Sequence, residues 1–191
     1  MFKPTSPPPM LPPSPFVDEW LPKFAKISSD QRLLDVGCGE GRNSLFAAIL
    51  GYDVTAIDLE KSLSPEAREH LAISFQAMNL LDIGREDGLR QDFDIVICNE
   101  TLSKLPVRDR AIGFRALMSA VRPNGFALVS DYTSDFHSQG IKGFLPNKLR
   151  EPFDRAAWNV LYFATQKPTT QVYGNGDIAM TSLAQIIAQK P

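Results

Sequence analysis

Leu33-Leu34-Asp35-Val36-Gly37-Cys38-Gly39-Glu40-Gly41-Arg42-Asn43 runs from a short apolar segment through three closely spaced glycines into a helical pattern, Ser44-Leu45-Phe46-Ala47-Ala48-Ile49-Leu50. The stretch predicts a strand, a tight turn and a helix. Glycines at that junction let the backbone take positive φ and leave no Cβ between the main chain and a ligand lying across the strand end. A second strand, Val54-Thr55-Ala56-Ile57, closes on Asp58. That acid falls about twenty residues beyond the glycines, where a carboxylate can accept from both hydroxyls of a ribose in dinucleotide-binding folds.

Outward from this stretch the chain alternates. Ser64-Pro65-Glu66 carries the cap chemistry of a helix start and predicts a helix to about Leu71. Ile73 to Met78 reads as a third strand, and Asp94-Ile95-Val96-Ile97-Cys98 as a fourth, buried on both faces. A helix from about Val107 to Val121 is expected with Ile112, Leu117 and Val121 inward. Arg122-Pro123-Asn124-Gly125 then turns into a fifth strand, Phe126 to Ser130. Strand and helix in alternation close their hydrogen bonds as an α/β fold, a mostly parallel sheet with right-handed crossovers and helices on both faces. Its ligand belongs beyond the carboxyl ends of the strands, at the topological switch point.

The last fifty residues or so change character. Asn147 to Glu151 is at most a short helix, because Pro152 should stop it. Trp158 to Phe163 is a strand by composition, Tyr173-Gly174-Asn175-Gly176-Asp177 a turn, and Ile178 to Ala188 a final strand. Two closing strands without a long helix between them give an antiparallel edge. At the other end, Pro4 to Pro15 favours extended polyproline geometry, so residues 1–15 read as a flexible tail before a single domain, 16–191. Ser14-Pro15 supplies a helix cap, and Phe16, Trp20 and Phe24 share one face of the helix that follows. That stripe is core contact, or Trp20 lines a pocket.

Composition narrows the functional classes. The chain has 191 residues and a net charge of -2, so it lacks the basic face that nucleic acid demands. It has no apolar run near the length a membrane span requires. Two cysteines, Cys38 and Cys98, suit a reducing compartment, and two thiols without further Cys or His ligands cannot fill a tetrahedral zinc site. The expectation is a cytoplasmic protein, monomer or homodimer, without a metal, without nucleic acid or membrane as partner.

The glycine spacing separates two nucleotide readings. The nicotinamide fingerprint, GxGxxG, leaves room for a pyrophosphate at the helix N-terminus. Here the spacing is GxGxG, with Asp35 two residues before the first glycine and Arg42 and Asn43 opening the helix. This shorter loop approaches a nucleoside that carries no phosphate. The stretch resembles motif I of the class I S-adenosylmethionine-dependent methyltransferases, and Asp58 resembles their ribose acid. The resemblance implies a three-layer Rossmann-like sandwich whose mostly parallel seven-stranded sheet ends in an antiparallel C-terminal strand. It implies S-adenosyl-L-methionine as cofactor, S-adenosyl-L-homocysteine as product, and methyl transfer to a small-molecule acceptor. A non-catalytic regulatory protein that binds the same cofactor is the alternative.

Within that resemblance four loops converge. Asp35 would order the first or reach the cofactor's amino group through water. The Gly37 and Gly39 backbone would line the methionine part, and Cys38, Arg42 and Asn43 of the same loop would also bind the cofactor. Asp58 and Leu59 would meet ribose and adenine. Asn79 and Leu80, where the family usually places an acid and an apolar residue, would meet adenine, and Asn99 the sulfonium end. Glu100, Asp131, Tyr132 and His137 are the candidates for a base. Residues 39–45 and 50–55 further resemble the tellurite-resistance (TehB-type) methyltransferases, with the same order of elements over about 16–190. Those enzymes carry a His between the last two strands, absent from Thr165 to Gln171 here. A metalloid oxyanion or a thiol is therefore one acceptor class among several.

Overall fold

The computed structural model describes residues 11–25, 31–60, 62–85, 89, 92–133, 137–138, 141–167, 169–172 and 178–191. The chain opens with α1 (Pro15–Phe24) and then alternates: β1 (Arg32–Val36), α2 (Arg42–Ile49), β2 (Asp53–Asp58), α3 (Pro65–Glu69), β3 (Ile73–Ala77), β4 (Phe93–Asn99), α4 (Arg110–Ala120) and β5 (Val121–Tyr132). Two short strands follow, β6 (His137–Ser138) and β7 (Ile141–Lys142), then α5 (Pro146–Arg155), β8 (Asn159–Thr165), β9 (Thr169–Val172), β10 (Ile178–Thr181) and β11 (Leu183–Gln189).

Seven strands form one sheet in the order β3-β2-β1-β4-β5-β11-β8. The pairs among β1 to β5 are parallel, and β11 runs antiparallel to both β5 and β8. This is the mixed α/β sheet expected. The order reverses between β1 and β4, so a crevice opens outside their carboxyl ends.

Period-two alternation divides the core into two layers. Leu34, Val96, Cys98, Ala127, Val129 and Ile186 face α4 and α5, where they meet Phe114, Leu117, Leu149 and Phe153. Leu33, Val54, Ile95, Ile97, Leu128 and Ile187 face the other way, onto Phe16, Val17 and Leu21 of α1 and Ala47 and Ala48 of α2. The central strand β4 is buried from Phe93 through Cys98, as its unbroken apolar run required.

Ser14 caps α1, its hydroxyl accepting from the Val17 amide, so Ser14 and Pro15 belong to the helix. The α1 stripe makes core contact. Trp20 packs 4.7 Å from the Tyr162 ring on the outermost strand β8, and Phe24 lies 4.7 Å from Phe126 on β5.

Four expectations are corrected. Ile112 does not point inward: it is 41% exposed, while Gly113, Phe114 and Leu117 carry the buried face of α4. Val121 begins β5 instead of ending the helix, and the strand irregularity falls where Val121 pairs with Phe93 and Phe126 with Ile95. Pro152 does not stop α5, which runs on to Arg155. The gain from seating Leu149 and Phe153, both fully buried, exceeds the roughly 3 kcal/mol that an interior proline costs. The last strand is also divided. Ile178–Thr181 pairs with β9 in a separate two-stranded sheet, and Leu183–Gln189 alone enters the main one. The turn expected over residues 173–177 lies outside the described residues.

Phe153 meets Phe114 and Trp158 edge-on, at 6.2 and 5.4 Å between ring centroids. Replacing Phe153 with Ala is expected to cost about 3 to 5 kcal/mol, measured by urea unfolding. A loss below about 1 kcal/mol would show that α5 does not contribute to the core as described.

Candidate active site

Gly37, Gly39 and Gly41 all have positive φ, at 73°, 54° and 83°. This bends the chain back after β1 and starts α2 at Gly41. Hydrogen bonds fasten the bend to the next strand. The Gly37 and Cys38 amides both donate to the Ile57 carbonyl, at 2.8 and 3.1 Å. The Gly39 amide donates to Asp58 Oδ2 at 2.9 Å, and the other carboxylate oxygen takes the Leu59 amide at 2.7 Å. Asp58 therefore lies against the glycine bend, as the ribose reading requires. Further out, Ser62 Oγ donates to the Gly39 carbonyl at 3.0 Å, and the Ser64 amide donates to the Glu40 carbonyl.

The three glycines differ in what surrounds them. A Cβ on Gly37 would lie 2.2 Å from Thr101 Oγ1, and one on Gly41 would lie 2.7 Å from Leu63. Their bareness lets protein pack on protein. At Gly39 a Cβ would meet nothing within 4 Å, so the space beside it is open. Leu59, 67% exposed, borders the same loop. An open shelf beside Gly39, a carboxylate whose oxygens each keep a lone pair and an exposed apolar side chain fit a nucleoside.

Beneath the loop lies Asp35, 1% exposed, whose Oδ2 accepts from Ser44 Oγ at 2.6 Å. Of its two expected roles, ordering the loop is the one its geometry serves. Burial raises its pKa to about 6, opposed by the Ser44 hydrogen bond. Burial likewise pushes the Cys38 and Cys98 thiols up, and both cysteines are free.

The structure gives other expected residues different employment. Asn43 is buried, and its Oδ1 accepts from the Ser14 amide at 2.9 Å, which ties α1 to the start of α2. Asn79 Oδ1 caps the short turn Leu80–Asp82 by accepting from Leu81. Leu80 is 6% exposed and belongs to the core under α4. The Met78 amide donates to the Asp58 carbonyl at 2.9 Å, so this loop still borders Asp58.

At the ends of β4 and β5 a second polar group assembles. Glu100 has φ +54 although it is not glycine, and its amide donates to the Ser130 carbonyl. Its carboxylate accepts from Tyr132 Oη at 2.5 Å and from Asn99 Nδ2 at 3.2 Å, and it faces Arg42 at 4.0 Å. Asp131 is fully buried, with its pKa raised by burial to about 6, and it accepts from the Ser103 and Tyr132 amides. His137 lies in β6, and its side chain lies outside what is described. Thr101 was not singled out in the sequence. Its hydroxyl lies 3.3 Å from the Val36 carbonyl and 3.0 Å from that of Asn99, filling the space that Gly37 leaves bare.

A cleft of about 920 Å³ opens elsewhere, between α4 and α5, with Phe114, Phe144 and Trp158 among its walls. None of its described lining residues belongs to the loops above.

With this geometry in hand, known proteins can be compared. Residues 33–125 match a family described as a methyltransferase domain. The ubiquinone biosynthesis O-methyltransferase of Aromatoleum aromaticum is 35% identical over 121 residues, covering 62% of this chain and 50% of that protein. The chain thus spans about half the length of the curated relatives it matches. Among solved structures, TehB from Haemophilus influenzae superposes with a TM-score of 0.68 at 23% identity, over 88% of this chain and 60% of that one. The Burkholderia thailandensis 1,6-didemethyltoxoflavin-N1-methyltransferase, solved with its substrate and S-adenosylhomocysteine bound, has a TM-score of 0.65 at 20% identity, over 93% and 77%.

Asp35 is buried beneath the loop. Its folded-state pKa lies above the ordinary carboxylate value of 3.8, at about 6. The stability it contributes is full below pH 3.8 and is lost as pH rises through 6. The ionised form at neutral pH costs about 3 kcal/mol. Asp35→Asn should therefore gain roughly that much over the wild type between pH 3.5 and 7.5, read by urea unfolding at both. A constant difference would remove the assignment.

Proposed function

Starting from a chain that carries a class I S-adenosylmethionine-dependent methyltransferase domain, we propose that the protein transfers a methyl group to a hydroxyl of a small-molecule acceptor. The observation that carries the cofactor half of this reading is the Asp58 carboxylate set against the Gly39 amide, beside open space. The hydroxyl half draws on the O-methyltransferase relatives. When bound, S-adenosylmethionine supplies a methyl already activated on a sulfonium.

The chain's own residues then have limited tasks. Asp58 holds the ribose hydroxyls, with Leu59 against the base. Gly37, Cys38 and Gly39 offer main chain without bulk, and Asn79 and Asn99 border the nucleoside and sulfonium ends. Arg42, at the start of α2, has a guanidinium suited to a carboxylate. The site must seat an acceptor lone pair in line with the methyl and keep water out. A metalloid oxyanion or a thiol is a second acceptor class, favoured by the TehB-like fold. We further assign residues 16–191 to a single catalytic domain acting in the cytoplasm.

Two substitutions test the cofactor site by titration calorimetry with S-adenosylhomocysteine. Asp58→Ala should weaken binding by about 1.5 to 3 kcal/mol. Gly39→Val should abolish it, because the side chain enters the open space and φ is +54. Undiminished affinity in either variant would move the nucleoside elsewhere, and thermal stabilisation by NAD alone would replace the assignment.

A further inference from the structure

Glu100 is one of three described non-glycine residues with positive φ, at +54°, beside Asn124 and Ala157. A non-glycine residue in the left-handed region costs of order 1 to 3 kcal/mol and persists only where its surroundings hold it. Here they do: its amide is bonded to Ser130, and its carboxylate meets donors from Asn99 and Tyr132 and faces Arg42. The outcome of that strain is a carboxylate at the carboxyl end of β4. This strand neighbours β1 at the order reversal, where the ligand crevice opens.

The count of partners matters. A carboxylate offers about four lone-pair directions. Two are taken by Tyr132 Oη and Asn99 Nδ2, and Arg42 lies at the edge of a third. The side chain remains 26% exposed, whereas the neighbouring acid, Asp131, is fully buried and turned onto the Ser103 and Tyr132 amides. Of the two acids, Glu100 is the one open to the crevice. The charged and titratable groups that face it are Arg42 from α2, and Tyr132 and Asp131 from β5.

We infer that Glu100, seated by Tyr132, is the base that takes the proton of the hydroxyl acceptor, an inference that rests on the transfer reading above. The acceptor's O–H bond breaks and its proton moves to a Glu100 oxygen. The oxygen lone pair forms the new C–O bond, and the electron pair of the broken S–C bond stays on sulfur. Glu100 is then neutral and returns its proton to solvent. Tyr132 is a positioning residue, since its hydroxyl fixes Oε2, while Oε1 takes Asn99 Nδ2 and the side chain stays 26% exposed.

Two aromatic hydroxyl probes of different acidity test this. Catechol needs help to lose its proton, and 4-nitrocatechol ionises unaided near neutral pH. With Glu100→Gln, both probes are compared at saturating S-adenosylmethionine, because Glu100 contacts Asn99 and Arg42, which the transfer reading sets beside the cofactor. Methyl transfer to catechol should fall about 100-fold or more, the scale of general-base catalysis. Transfer to 4-nitrocatechol should fall less than about tenfold. Tyr132→Phe, a second variant should the first not fold, should show the same selectivity at roughly tenfold. Equal losses on both probes at saturating S-adenosylmethionine would overturn the base role. A wild-type protein that methylates neither probe while binding S-adenosylhomocysteine would overturn the aromatic-hydroxyl acceptor and leave the cofactor site standing. Loss of that binding in the wild type would remove the transfer reading itself.

Discussion

The fastening of one loop to the neighbouring strand is the constraint on which this structure turns. Three successive amides, from Gly37 to Gly39, are donated sideways into β2, two to the Ile57 carbonyl and one to the Asp58 carboxylate. A bend with three residues at positive φ has no helix or ladder of its own to satisfy its amides, and buried amides without partners are costly. Asp58 therefore does two things at once. It completes the bend's hydrogen bonding, and it keeps lone pairs directed at the crevice. The site is shaped before any ligand arrives, which lowers the ordering cost of binding.

The fold was legible because its signals are repeated. Leu33 beside Leu34, and Ile95 and Ile97 interleaved with Val96 and Cys98, belong to a sheet covered on both faces, and glycine and proline mark the joints. The place of Asp58 beside the glycine bend was legible because spacing along two adjacent strands translates directly into proximity. What escaped was set by contacts distant in sequence. Asn43 looked like part of the loop, yet its side chain is committed to Ser14, twenty-nine positions earlier. Thr101 carries no motif, and only the packing of β4's end against β1's bend shows why it lies over Gly37. Pro152 reads as a stop by local rules, and tertiary burial of Leu149 and Phe153 overrules them. Ile112 was assigned inward by hydrophobicity alone, when the neighbouring Gly113 marks the side on which α4 approaches Leu105 and Leu102.

The site also concentrates local costs. Two acids, Asp35 and Asp131, are buried under the strand ends with raised pKa values, and Glu100 adds strained backbone. Each is held by neighbours that are themselves well packed: Ser44 in α2, the Ser103 amide, the Ser130 carbonyl. Stability given up in one place and supplied by the surrounding sheet is the pattern expected where geometry serves chemistry.

The bond between the Ser14 amide and Asn43 has an implication for handling the protein. It joins the cap of the first helix directly to the first turn after the glycine bend. A fusion tag that crowds Ser14, or a protease that nicks the chain just after it, would disturb the glycine bend from outside without touching any of its three glycines.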